Sequence, residues 1–193
     1  MKKGVVVGFP GTGYTCREPL FADCLNAFVA RGYDCVALNF AGIPFRQIET
    51  VEEALLQAQV RVRDQLAPLR FGEYADVAFV SKSLGTALAG WYASTLSVHA
   101  RQFYLTPIAQ SLPYVTDAAR VVGMVIGTED KVLDDRVVTA FCRERGIPCM
   151  VVDGVRHKLL YDDPASTARL NERIVSMCMG NPIQNPNERS DGT

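Results

Sequence analysis

The sequence predicts an α/β protein with a mostly parallel sheet that helices cover on both faces. Short apolar, β-branched segments alternate along the chain with longer segments in which apolar residues recur at helical spacing. The short segments are apolar throughout, which is typical of parallel strands buried on both faces. With 193 residues and no internal repeat or linker, the chain is expected to form one domain over residues 1–180.

Six strands are predicted from the apolar runs. The first is a valine run between glycines, and the others follow in order after each predicted helix or connection. They cover residues 5–7, 34–40, 77–80, 102–105, 121–126 and 149–152. Ligands of such sheets bind beyond the carboxyl ends of the strands, so we expect the functional residues just after them.

Helix ends are marked by capping residues and glycines. Thr15 and Thr50, each with a glutamate three residues later, match the capping-box pattern at a helix start. Gly32 and Gly146 follow the last apolar-periodic residues and predict helix ends. The predicted helices cover about residues 17–31, 51–67, 84–95, 134–145 and 164–179.

Composition excludes several classes of function. Hydrophobic residues make up 48% of the chain, charged residues 21%, and the formal net charge is −1. This balance is typical of a globular protein and gives no overall attraction to nucleic acid or to anionic membranes. No apolar run approaches the ~20 residues of a membrane span. We therefore expect neither nucleic acid nor a membrane as a partner, and the sequence leaves the oligomeric state unknown.

The six cysteines form no C-x-x-C pair, which argues against a zinc or redox motif. Most have apolar neighbours, as expected of buried free thiols, and no export signal is recognised. These features favour a cytoplasmic protein without a metal site. The last residues, 181–193, are polar and lack apolar periodicity, so they are predicted to be a disordered tail.

The third predicted strand is followed by Ser81-Lys82-Ser83-Leu84-Gly85. A serine on a tight strand-to-helix turn needs small residues two positions before and after it, because strand and helix approach closely there. Ser81 and Gly85 meet this need, although the usual G-x-S-x-G pattern has glycine in place of Ser81. Ser83 is therefore the candidate nucleophile. The alternative is a serine-rich helix cap without chemistry.

An acid and a base follow later strands. Asp130 comes after the predicted strand 121–126, and His157 comes after the last strand. A serine hydroxyl is a weak nucleophile unless a histidine removes its proton and a carboxylate orients the imidazole. The order Ser, Asp, His is that of the α/β-hydrolase fold. Glu129 remains an alternative acid, and His99 is expected at the surface on the wrong edge of the sheet.

A glycine-rich loop follows the first strand at residues 8–14. Acyl transfer creates an oxyanion that two backbone N–H groups can stabilise. The N–H of Leu84, directly after the nucleophile, and that of Phe9 in this loop are the candidates, because Pro10 has no N–H. The alternative is a glycine-rich turn needed only for packing.

Together these segments resemble the α/β-hydrolase superfamily, in particular its small, cap-free esterase-like members. Gly8-Phe9-Pro10-Gly11 is similar to the superfamily's oxyanion loop, with Val7 where histidine is common, and the segments 81–85, 127–130 and 154–157 are similar to its nucleophile, acid and histidine turns. The resemblance implies a serine hydrolase that acts on a small ester or thioester through an acyl-enzyme, with no cofactor.

The connection between the fourth and fifth strands is too short for a lid. It spans residues 106–120 and contains two prolines, whereas larger members of the superfamily often carry a helical lid near this point. We therefore expect a shallow, open site.

Basic residues flank the candidate site. Lys82, Lys131 and Lys158 each adjoin one of the three candidate catalytic residues. Arg17 and Arg46 lie in or near loops at the same edge, and arginine can hold a carboxylate with two parallel hydrogen bonds. The sequence thus suggests an anionic substrate, with Arg17, Arg46 and Tyr14 as candidate substrate-binding residues. The alternative is that these side chains are simply solvated.

Two other classes of function fit part of the pattern. Gly8, Gly11 and Gly13 after a strand loosely suggest a nucleotide-binding Rossmann-like domain, but their spacing is not G-x-G-x-x-G and no acidic residue ends the second strand. A non-catalytic binding protein with the hydrolase fold is the second alternative. Against it, all three candidate catalytic positions carry competent residue types.

Overall fold

The computed structural model describes residues 1–181, and the predicted disordered tail lies outside this range except for Asn181. Its centre is one six-stranded sheet with the order β2-β1-β3-β4-β5-β6. Every neighbouring pair of strands is parallel. The strands are β1 (Val5–Phe9), β2 (Asp34–Ala37), β3 (Val77–Ser83), β4 (Arg101–Pro107), β5 (Val121–Gly127) and β6 (Cys149–Val152). The predicted α/β class and parallel sheet are confirmed.

Within residues 1–181, five α-helices cover the two faces of the sheet. They are α1 (Pro19–Val29), α2 (Val51–Leu66), α3 (Leu84–Thr95), α4 (Asp135–Arg145) and α5 (Pro164–Cys178). Helices α1 and α5 pack on one face, against side chains such as Val6 and Val125. Helices α2 and α3 pack on the opposite face, with Val7 and Phe79, and α4 packs beside them. The neighbours Val6 and Val7 thus enter different cores, as side chains in a strand alternate.

The predicted capping box at Thr15 is wrong. Helix α1 begins at Pro19, and Glu18 occupies the cap position without a side-chain cap bond. The residue before a proline is disfavoured in the α conformation, so the helix cannot extend back through Glu18. Thr15 instead accepts a hydrogen bond from the N–H of Arg17 and forms a turn. The second predicted cap is confirmed, since the Thr50 hydroxyl accepts from the N–H of Glu53.

Two strand ends differ from the prediction. Strand β2 ends at Ala37 rather than at Phe40, because the chain leaves the sheet there and buries Leu38 and Phe40 in the α2–α3 core. Strand β3 continues to Ser83 rather than ending at Val80, and it passes directly into α3. The candidate nucleophile therefore lies at the end of the strand itself.

The connection from β4 to β5 contains only short 3₁₀ helices within the residues described, Ala109–Tyr114 and Ala118–Arg120. The first of these packs against α3. The predicted lack of a helical lid is confirmed.

The cysteines are all free thiols. Cys16, Cys24, Cys142 and Cys178 are buried, as expected, whereas Cys149 is half-buried and Cys35 is exposed on strand β2. Strand β2 is an edge strand, and among the described residues β1 is the one strand that pairs with it.

The first turn of α3 lies against the loop that follows β1. A Cβ atom at Gly85 would come within 2.0 Å of the main-chain oxygen of Phe9 and within 2.6 Å of that of Pro10. Both oxygens belong to the backbone, so neither moves without displacing the loop. The glycine two residues after Ser83 is therefore required by close packing of backbone against backbone.

Substitution Gly85→Ala should lower the free energy of unfolding by about 2 kcal/mol or more, because the added methyl group overlaps fixed backbone atoms. Gly72→Ala is the matched control, since a Cβ at Gly72 meets no atom within 4 Å in the described structure. Urea unfolding of both variants measures the difference. Equal stability of the two variants would refute the close approach at Gly85.

Candidate active site

Ser83 occupies the sharp turn between β3 and α3. Its backbone has φ 52° and ψ −124°, a conformation that residues other than glycine rarely adopt. Such a residue costs on the order of 1–3 kcal/mol and persists only where the surrounding structure fixes it. Ser83 precedes the helix without using its side chain as a cap. Its hydroxyl is therefore free of the structural task that a serine at this position usually performs.

The neighbouring serine has a different role. Ser81 is fully buried, and its hydroxyl donates a 3.0 Å hydrogen bond to the main-chain oxygen of Phe103 on β4. Ser83 is half-buried at the end of the same strand. The two serines therefore differ both in access and in hydrogen bonding.

The structure brings Asp130 and His157 together. The Nδ1 of His157 lies 2.7 Å from Oδ2 of Asp130, and the Asp130 side chain has no solvent exposure. The other carboxylate oxygen accepts a 2.8 Å bond from the N–H of Val132. Burial opposes the charged form of Asp130, but the bonds from His157 and Val132 outweigh it and hold the pKa of this carboxyl below its usual range.

This pairing fixes the role of each ring nitrogen of His157. A carboxylate only accepts hydrogen bonds, so Nδ1 carries the hydrogen and Nε2 of the neutral ring is an acceptor. The Nε2 atom is buried and forms no hydrogen bond with any described residue. The Ser83 hydroxyl is therefore not bonded to it either. A buried acceptor without a partner is unusual, and here it is the nitrogen that a proton-accepting imidazole would use.

The turns that carry these two side chains are in direct contact. A Cβ atom at Gly127 would lie 2.1 Å from the main-chain oxygen of Val155, and the Thr128 hydroxyl accepts a 2.9 Å bond from the N–H of Gly154. Glu129, the alternative acid, is exposed and lies 3.5 Å from Nε of Arg156. The geometry therefore places Asp130, and not Glu129, beside the imidazole.

His99 lies far from this cluster. It is exposed and precedes β4, at the amino ends of the strands, whereas Ser83, Asp130 and His157 lie at or just after carboxyl ends. This arrangement agrees with its expected surface position.

The loop after β1 passes over Ser83. A Cβ atom at Gly11 would lie 3.1 Å from Cβ of Ser83 and 3.7 Å from its hydroxyl oxygen. Phe9, whose N–H is a candidate oxyanion donor, is the last residue of β1 and pairs in register with Ser81. Leu84, the other candidate, is the first residue of α3. Leu84 is thus the next residue in the chain after Ser83. Phe9 pairs with a residue two positions before Ser83 on the neighbouring strand.

A cleft of about 610 Å³ opens beside this loop. It is lined by the loop after β1, residues 10–17, and by the loop after β2, residues 37–43, together with Phe45. Tyr14 and Arg17 are among its lining residues. Arg46 is exposed and directly follows Phe45, but it is not itself in the lining. Of the three candidate substrate-binding residues, the structure places two in the cleft wall.

The lysines beside the candidate catalytic residues do not share one environment. Lys131 and Lys158 are exposed, whereas Lys82 is only 1% exposed. The Lys82 Nζ donates to the Thr106 hydroxyl at 2.8 Å and to the main-chain oxygen of His157 at 2.6 Å. Burial lowers the pKa of Lys82 to about 7, although the nearby Asp130 carboxylate acts in the opposite direction.

Sequence reasoning missed this burial. The expected strand ended at Val80, so Lys82 was placed in a loop next to the site. The signal was available: a lysine that continues a strand at the centre of a sheet covered on both faces has no route to water unless it leaves by the end.

Nothing in the described residues suggests a metal centre or a membrane span. No group of three or more His, Cys, Asp or Glu side chains within residues 1–181 is placed to hold a metal ion. Within the same residues, no helix has both the length and the apolar character needed to cross a bilayer.

No protein-family model matches the sequence, and no curated protein is detectably similar to it. Solved structures do match the fold. A protein from Xanthomonas campestris pv. campestris, described as a hydrolase of the alpha/beta superfamily, superposes with a TM-score of 0.65 at 18% identity, over 93% of this chain and 99% of that one.

Two further structures show the same likeness. A serine hydrolase without a lid from Xanthomonas campestris has a TM-score of 0.57 at 13% identity, over 93% of this chain and 81% of that one. Est1E from Butyrivibrio proteoclasticus, with ferulic acid bound, has a TM-score of 0.59 at 14% identity, over 92% and 90% of the two chains.

The chain therefore has the α/β-hydrolase fold in its lid-free form. The strand order also differs from the 3-2-1-4-5-6 order of the dinucleotide-binding fold, which the glycine-rich loop had suggested as an alternative.

Burial of Lys82 should be measurable as a pH dependence of stability. The ordinary pKa of lysine is 10.5, so above about pH 7 the unfolded chain binds a proton that folded Lys82 has lost. The free energy of unfolding should then rise with pH by up to ~1.4 kcal/mol per unit from this group, or about 2–3 kcal/mol between about pH 7 and pH 9.

Urea unfolding of the unsubstituted protein, Lys82→Met and Lys3→Met across this range tests the effect. Lys3 is exposed at the opposite end of the sheet, so its loss should leave the slope unchanged. Since the thiols titrate in all three proteins, the difference between them isolates the lysine. A Lys82→Met curve parallel to that of the unsubstituted protein would contradict the shift.

Proposed function

We propose that the protein is a serine hydrolase that acts on a small ester or thioester through an acyl-enzyme. One observation carries the proposal: a histidine bonded to a buried carboxylate presents an unpartnered Nε2 at the sheet edge where Ser83 occupies a strained strand-to-helix turn. Residues held in this kind of conformation cluster at active sites.

In the proposed reaction, the Ser83 hydroxyl attacks the carbonyl carbon of the substrate. Nε2 of His157 takes the serine proton as the new C–O bond forms, and it then passes that proton to the departing alcohol or thiol. Asp130 stabilises the imidazolium that exists between these steps. A water molecule, deprotonated in the same way, hydrolyses the acyl-enzyme and returns Ser83 to its starting state.

Two backbone N–H groups are proposed to stabilise the oxyanion, those of Leu84 and Phe9. The loop and helix that carry them are held together by the close contact at Gly85, so the two groups keep a fixed relation to each other and to Ser83. Donors that are already in place before the charge develops need no rearrangement during the reaction, which is the source of their effect on rate.

The likeness to solved structures supports a small-molecule ester as the substrate class. One matched protein is a serine hydrolase without a lid, and another, Est1E, holds ferulic acid. The cleft beside the β1 loop would receive the acyl or leaving group of this chain's substrate.

Substitution Ser83→Ala should abolish labelling by a fluorophosphonate probe and reduce hydrolysis of p-nitrophenyl acetate by about 10³-fold or more, because no other group can form the acyl-enzyme. Ser81→Ala is the matched control: its hydroxyl is buried and bonded to β4, so labelling should persist. Loss of labelling in Ser81→Ala but not in Ser83→Ala would reverse the assignment, and an unlabelled native protein would refute the proposed function.

We further propose that the substrate carries a negative charge, with Arg17 in the cleft wall as its main contact and Arg46 and Tyr14 as additional ones. Arg17 is exposed and lines the cleft next to the β1 loop, so a carboxylate in the cleft could be held at close range. The whole chain is nearly neutral, so the attraction would be local.

Short esters with and without a carboxylate on the acyl group test this idea. At low salt, Arg17→Ala should raise the KM of the carboxylate-bearing ester about fivefold or more, Arg46→Ala should raise it less, and neither should affect the neutral ester. Arg31→Ala removes an exposed arginine between α1 and β2 and is the control. If the anionic ester has no advantage at low salt, the charged substrate is to be rejected.

A further inference from the structure

One buried side chain has no part in the reaction proposed above. Lys82 lies where four segments meet: its own strand β3, the end of β4, the loop after β6 and the loop after β1. Its ammonium group donates to Thr106 and to the main-chain oxygen of His157, and it lies 4.9 Å from the centre of the Tyr14 ring.

This position is costly for a lysine. Moving an ammonium ion from water into a protein interior costs several kcal/mol unless hydrogen bonds and opposite charges compensate for it. An apolar side chain of similar length would fill the same space without that cost. A charged group in such a place is therefore expected to have a use that packing alone does not supply.

The hydrogen bonds of Lys82 indicate what this use is. Lys82 is the residue before Ser83, and its ammonium group bonds directly to the main chain of His157. One side chain thus joins the backbone that carries the proposed nucleophile to the backbone that carries the proposed base. The other described restraint on His157, the bond to Asp130, acts on the ring alone.

The partner of Lys82 on β4 is itself strained. Thr106 has φ 43°, a conformation that β-branched residues rarely adopt, and its fully buried hydroxyl faces the ammonium group. The conformation of Thr106 thus coincides with the hydrogen bond that fixes one side of the ammonium group.

We propose that Lys82 is a positioning residue, which holds the His157 loop against the Ser83 turn. The proposal rests on the proposed serine-hydrolase function. It assigns Lys82 one effect: its hydrogen bond to the main-chain oxygen of His157 sets the position of the imidazole relative to Ser83.

The test compares kcat and KM of four proteins with p-nitrophenyl acetate, a neutral substrate. These are the native protein, Lys82→Met, Lys82→Arg and Lys3→Met. Methionine keeps the length of the lysine side chain but has neither its N–H donors nor its positive charge. Arginine keeps N–H donors and a positive charge. Lys3→Met removes one exposed lysine at the other end of the sheet and controls for the loss of charge alone.

We expect Lys82→Met to lower kcat about 10- to 100-fold with KM within about twofold, because a displacement of about 1 Å at the base has effects of this size. Lys82→Arg, which keeps a long side chain with an N–H donor, should recover part of kcat.

Several results would overturn this role. If Lys82→Met and Lys3→Met have the same kcat, Lys82 does not act on His157. If Lys82→Met and Lys82→Arg are equally impaired, Lys82 serves packing only. Should Lys82→Met fail to fold, Lys82→Gln, whose shorter side chain holds its donor farther from His157, must show the same loss of kcat with KM within about twofold.

The same experiment separates this proposal from the proposed function. A native protein that neither hydrolyses the ester nor reacts with the fluorophosphonate probe refutes the hydrolase itself, and the role of Lys82 with it. An active native protein whose Lys82→Met variant matches the control refutes only the role of Lys82.

Discussion

The parallel pairing of all six strands is the constraint on which the other features of this structure depend. It places every strand's carboxyl end at one edge, so that residues distant in sequence, such as Ser83, Asp130 and His157, lie at or just after strand ends along the same edge of the sheet. It also requires helices on both faces, since each crossover must return over the sheet. The central strands are consequently buried along nearly their whole length.

This burial determines the environment of the candidate site. The loops at the carboxyl edge pack on a sheet that is buried on both faces, and their backbones approach one another closely at Gly85 and at Gly127. The strained conformation of Ser83 is kept in this surrounding, with the loop after β1 close to the Ser83 side chain at Gly11.

Much of the fold could be predicted from the sequence because its signals are local. Continuous apolar runs predict buried strands, and Gly146 and Thr50 mark helix ends through their own backbone and side-chain chemistry. The bounds of α3 and β6 agree with the prediction. The failure at Thr15 has a local cause too: Pro19 competes with the capping pattern, and the steric restriction on the residue before a proline decides the outcome.

Part of the candidate site could be predicted from the sequence. Asp130 and His157 each follow a strand, and the structure brings these two side chains within hydrogen-bond distance. The role of Ser83 with them remains the proposal made above. The burial of Lys82 and its bond to His157 depend on contacts between segments 75 residues apart, which no periodicity reveals. The position of Arg46 outside the cleft lining likewise depends on how the loop after β2 folds, and that loop has no periodic sequence pattern.

The absence of any residue between β3 and α3 has an electrostatic consequence. Peptide dipoles of a helix align along its axis and leave a partial positive charge at its first turn, and in α3 this turn begins at the residue after Ser83. The first turn holds no acidic side chain to offset it, and residues 84–93 are all buried, so solvent screens the field poorly. The positive end of the α3 macrodipole therefore lies next to Ser83, where it favours negative charge over positive charge.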